Sequence, residues 1–145
     1  MTSAADSEFQ RKLNGLLFSL MSWEQLSTFW GKVDRHAGWY LYAVGEDLPS
    51  TPANADQVQH FMENLDALLH REHHEKYCGI VYADNLEQPG FVKIYDPAHL
   101  GSSCGSSKNS PLPGWVMSLV PPEELKTKWV VPANRKRWWQ NLFNA

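Results

Sequence analysis

Three groups of side chains in this sequence have types and spacings that would support chemistry. The first is Asp96, His99 and Cys104, all within one serine- and glycine-rich stretch, residues 96–110. A cysteine nucleophile needs a base to make its thiolate and a third group to orient that base, and all three types are present. The same stretch holds Gly101, Gly105 and five serines. Successive backbone N–H groups of such a loop can cradle an anion, with Ser102, Ser103, Gly105 and Ser106 around it and Lys108 adding a charge. The spacing departs from a phosphate-binding P-loop, which requires Gly, four residues, then Gly-Lys-Ser/Thr opening a helix. Here three residues separate the glycines, and Pro111 and Pro113 block a helix.

The second group is His70, His74 and Cys78. On a helix, residues four apart lie on one side, and a zinc-type ion takes imidazole nitrogen at about 2.0–2.1 Å together with soft thiolate sulfur. No further His or Cys pair follows to complete a shell. The competing reading is a solvated helix end, where His and Lys are favoured by the helix dipole. No cofactor is expected; a divalent metal at these three residues is the exception to be tested.

The third group closes the sequence: Arg135, Arg137, Trp138, Trp139 and Phe143. On a helix Trp138 stacks above Leu142 and Trp139 above Phe143, with the basic residues one turn earlier. Trp and Arg dominate protein–protein hot spots, so a partner-binding face is one expectation. Docking of this helix onto its own body is the other.

Charge distribution sharpens that choice. The net charge is −3, but residues 1–125 form an acidic body with 8 basic and 16 acidic residues, a balance of −8. Residues 126–145 carry Lys126, Lys128, Arg135, Lys136 and Arg137 and no acid. An acidic body disfavours nucleic acid as a partner. No run approaches 18 apolar residues, so no membrane partner is expected. Two cysteines exclude a disulfide-dense scaffold, and the N-terminal stretch does not read as a signal peptide, which points to the cytoplasm.

The elements that must position these groups follow from periodicity. Phe9, Leu13, Leu16, Leu17 and Leu20 make an amphipathic stripe over 7–21, and Ser22 opens a second helix ending near Arg35. A strand is expected over 39–44 and a long helix over 54–74, with Val58, Phe61, Met62, Leu65, Leu68 and Leu69 inward. Three short strands follow over 78–83, 91–95 and 115–120, the first two close enough for an antiparallel hairpin. One helical turn at 122–125 and a final helix over 133–143 complete the chain.

At 145 residues with 43% hydrophobic and 20% charged residues, this is a single α+β domain. Its short antiparallel sheet of about four strands packs against the N-terminal and central helices, covered on one face. No catalytic fingerprint is present. The leading functional expectation is a small cytoplasmic accessory or adaptor protein that binds another protein, ahead of an enzyme. The alternatives are a thiol-dependent enzyme or anion-binding protein at the 96–110 loop, and a metal-binding protein at His70, His74 and Cys78.

Overall fold

The computed structural model describes residues 7–76, 78–99, 112–125 and 133–142. They form an α+β domain of four α-helices and one five-stranded, wholly antiparallel sheet. In chain order the elements are α1 (Glu8–Asn14), β1 (Phe18–Ser19), α2 (Trp23–Trp30), β2 (Tyr40–Ala43), α3 (Ala55–Glu72), β3 (Val81–Ala83), β4 (Phe91–Ile94), a single 3-10 turn (Pro97–His99), β5 (Trp115–Ser118) and α4 (Ala133–Leu142). The strand order across the sheet is β1-β3-β4-β5-β2. The expected hairpin is β3–β4, in register Val81↔Ile94.

Local chemistry explains the boundaries. Asn54 caps α3 through a full capping box: its side chain accepts the Gln57 N–H at 2.8 Å, and the Gln57 side chain accepts the Asn54 N–H at 2.9 Å. Ser7 and Ser22 cap α1 and α2 in the same way, accepting the N–H of Gln10 and Gln25. The N-terminal stripe does not continue as one helix to residue 21. At Gly15 any Cβ would lie 2.7 Å from the Arg11 carbonyl oxygen, so only glycine fits there, and the chain turns extended. Phe18 and Ser19 then add β1, the fifth strand, to the sheet edge opposite Ala83 and Tyr82.

The second helix also ends earlier than expected, at Trp30. The Arg35 guanidinium reaches back to the carbonyls of Trp30 and Val33, and Gly38, at φ 91°, turns the chain into β2. No helical turn forms at 122–125. There Leu125 is buried and its N–H is donated to the Tyr42 hydroxyl at 3.0 Å.

Strand alternation sorts side chains onto two faces. Leu41, Ala43, Val81, Ala83, Val92, Ile94, Trp115 and Met117 join α2 and α3 in the larger core, with Trp39 fully buried. Tyr42, Phe91 and Val116 meet Phe9 and Leu13 of α1 and Leu125 on the other side. The sheet is therefore covered on both faces, because the break at Gly15 lets α1 lie across the face that α3 does not use.

Replacing Asn54 by Ala removes the α3 cap and is expected to cost about 1 kcal/mol. A urea unfolding midpoint that moves down with unchanged slope is the expected result. An unchanged midpoint would show that the capping box adds nothing to the long helix.

Candidate functional site

Arg135, on the first turn of α4, is the centre of the most elaborate polar arrangement among the described residues. It is only 7% exposed. Its Nε and Nη2 donate to Asp96 Oδ2 and Oδ1, each at 2.9 Å, and its Nη1 and Nη2 donate to Glu72 Oε2 and Oε1 at 2.9 and 2.6 Å. Two carboxylates thus each take a bidentate pair from one guanidinium, the geometry that the planar fork of arginine supplies and lysine cannot. Trp115 lies beneath, its ring 6.0 Å from the guanidinium carbon. Asp96 also accepts the Ala98 N–H at 2.8 Å.

Three elements converge to make this cluster. Glu72 ends α3, Asp96 follows β4, and Arg135 comes from α4. Gly114 completes the fit: a Cβ there would fall 2.9 Å from the Cβ of Asp96, so the entry to β5 can press against Asp96 only without a side chain. The Arg135 hydrogen bonds hold the Glu72 carboxyl below its usual range, against the opposing effect of burial. The two carboxylates push the guanidinium still further from deprotonation.

Of the five residues of the C-terminal group, Arg135 turns inward. Trp138 and Trp139 are half-buried: Trp138 meets Trp115 edge-on at 5.6 Å, and Trp139 meets Phe61 at 6.1 Å with perpendicular rings. Arg137 is exposed, as is Lys136. Phe143 lies outside the described residues. The basic end is therefore docked on the acidic body through one arginine, and its remaining described charges face outward.

In the loop group, Asp96 is committed to Arg135. His99 ends the 3-10 turn that follows Asp96. Ser102, Ser103, Cys104, Gly105, Ser106 and Lys108 lie outside the described residues.

The metal group is not brought together as a helical trio. The four-residue spacing of His70 and His74 requires a helix through residue 74, but α3 stops at Glu72 and His73 is extended at ψ 100°. His70 stacks on Trp23 at 4.2 Å and lies 3.6 Å from Asp66, whereas His74 is exposed. Cys78 is fully buried, and burial pushes its thiol up, away from the thiolate a metal needs. Among the described residues no group of three or more His, Cys, Asp and Glu side chains is placed to hold a metal ion.

Sequence reasoning missed three features. Glu72 gave no signal as a partner of Arg135, which is 63 positions away. His73, between the two singled-out histidines, is the buried one, its Nε2 bonded to the Cys78 carbonyl at 2.9 Å. Lys93 lies over the rings of Tyr82 and Tyr95 at 5.8 and 5.4 Å, and burial lowers its pKa; strand alternation with the tyrosines was its only visible trace.

Arg135→Met leaves Asp96 buried without its counter-charge and is expected to destabilise the fold by about 3–5 kcal/mol. Arg135→Lys is not expected to restore it, because one ammonium cannot serve both carboxylates in bidentate fashion. Chemical denaturation checks both, and a wild-type midpoint in Arg135→Met would remove the cluster from any structural role. The pH dependence has a definite sign. Glu72 is depressed in the folded state, so its contribution is present above the unfolded value of about 4.3 and is lost as pH falls through the lower folded value. Stability measured down this acid limb should fall less steeply in Glu72→Gln than in wild type; identical limbs would contradict the assignment.

Compared with known proteins, the chain matches no family model, no curated protein and no solved structure.

Proposed function

We propose that this is a small accessory protein of the cytoplasm that binds another protein, and that the outer side of α4 carries the contact. The observation that supports this reading is the way Arg135 presents the helix. With the guanidinium held by Glu72 and Asp96, α4 is fixed to the body, and Lys136 and Arg137 are left exposed beside two half-buried tryptophans. A fixed helix bearing basic side chains next to aromatic surface loses little entropy on binding. Its charge favours an acidic partner segment. Two cysteines in the chain suit a reducing compartment. Among the described residues no helix is long and apolar enough to cross a membrane.

Deleting the C-terminal segment would also remove Arg135 and so confound folding with binding. Reversing only the exposed charges avoids this. Lys136→Glu with Arg137→Glu should leave the thermal midpoint within a few degrees of wild type, because surface substitutions usually change stability by less than about 0.5 kcal/mol. Affinity purification from cells should recover a stoichiometric partner with wild type and at least about tenfold less with the double variant, given about 1.4 kcal/mol per tenfold in affinity. Equal recovery, or no stoichiometric partner with wild type, would overturn the proposal.

A further inference from the structure

The two edges of the sheet are treated differently. Along β2, the loop of Pro49, Ser50, Thr51, Pro52 and Ala53 lines a cavity together with Leu41, and Ala53 donates its N–H to the Trp39 carbonyl at 2.7 Å. Prolines and a covering loop are usual ways of closing an edge. Among the described residues no proline or covering loop lies along the β1 edge, whose strand is two residues long. Residues 15–22 contain no charge and no proline, two of the features that protect exposed strands. Leu16, Phe18 and Met21 are 79%, 45% and 53% exposed. They are three of the five large apolar side chains exposed among the described residues.

The backbone states what would cover this edge. Leu20 donates its N–H to the Val81 carbonyl at 2.9 Å and accepts the Gly79 N–H at 2.8 Å, so both of its peptide groups face β3. Successive residues of an extended chain direct their peptide groups to opposite sides, which turns those of Leu17 and Ser19 outward. An extended segment would match these outward peptide groups, and an apolar, uncharged one would match the exposed Leu16 and Phe18. Residues 16–21 are themselves such a segment, and an antiparallel strand paired with its own copy about a two-fold axis is self-complementary by symmetry.

We propose that two copies of this chain pair antiparallel through β1, about a two-fold axis between their Phe18 residues. In that register Leu17 of each copy exchanges both backbone hydrogen bonds with Ser19 of the other, joining the two five-stranded sheets. Phe18 then faces Phe18 of the second copy as a non-hydrogen-bonded pair, the arrangement in which side chains stand closest. Leu16, the most exposed of the three, comes opposite Leu20 of the second copy. The proposal uses no residue of α4 and does not depend on the partner reading given above.

The test is the solution mass of the full chain by light scattering over a range of concentrations, together with cross-linking. Wild type should approach twice the chain mass of 16.6 kDa. Phe18→Lys, which sets like charges opposite each other, should return the mass to that of one chain. In a Cys104→Ser background, Phe18→Cys should form a disulfide-linked dimer on mild oxidation, since Cα atoms of such a pair stand about 4.5 Å apart, within disulfide reach. Leu48→Cys, at an exposed position in the loop after β2, should not. A wild-type mass of one chain at every concentration overturns the proposal, and so does a dimer that survives Phe18→Lys. A dimer in which Phe18→Cys cross-links no better than Leu48→Cys overturns the β1 pairing. If Phe18→Lys fails to fold, the cross-link decides alone.

Discussion

One buried charge organises the end of this molecule. An arginine with 7% of its surface exposed would be strongly unfavourable unless its charge and its N–H groups were both satisfied. Arg135 meets that condition with two carboxylates from different parts of the chain, Glu72 at the end of α3 and Asp96 after β4. Removing either element would leave part of the guanidinium unmatched. The ion cluster therefore makes the docking of α4 conditional on correct placement of the long helix and the sheet. Its contribution to specificity follows from geometry: four N–H···O bonds from one planar group admit few alternative arrangements.

The same cluster gives the charge division a structural meaning. The basic end is neither wholly neutralised by the acidic body nor wholly free of it. One arginine is withdrawn from solvent, and Lys136 and Arg137 remain outside. The tryptophans fall into place around it. Trp115 supports the guanidinium from below, Trp138 packs edge-on against Trp115, and Trp139 meets Phe61 of α3. Aromatic surface and charge are thus interleaved at one junction, where burial of Arg135 and Asp96 strengthens their ion pair.

How much of this was legible in the sequence depended on the range of the interaction involved. The α3 helix was visible from its stripe between Val58 and Leu69, a local signal, although it ends at Glu72 and not at 74. The β3–β4 hairpin was visible for the same reason. The stripe over 7–21 misled, because Leu16, Leu17 and Leu20 fit a helix as readily as an extended edge. The deciding fact, the contact a Cβ at Gly15 would make with Arg11, belongs to the folded backbone. The His70–His74 spacing assumed a helix through residue 74, whereas α3 ends at Glu72 and His73 Nε2 bonds to the Cys78 carbonyl. Asp96 and Arg135 were both singled out, but for separate duties. Their pairing spans 39 positions and leaves no periodicity to read.

Docking of α4 by Arg135 is the central claim, and amide hydrogen exchange tests it most directly. If the cluster holds the helix, the amides of residues 137–142 should exchange in wild type nearly as slowly as those of α3, reporting an opening free energy close to that of global unfolding. In Arg135→Met they should exchange faster than the amides of α3 in the same sample. Rapid exchange of α4 in the wild-type protein, with α3 protected, would show that the helix is not held by the body and would contradict the account.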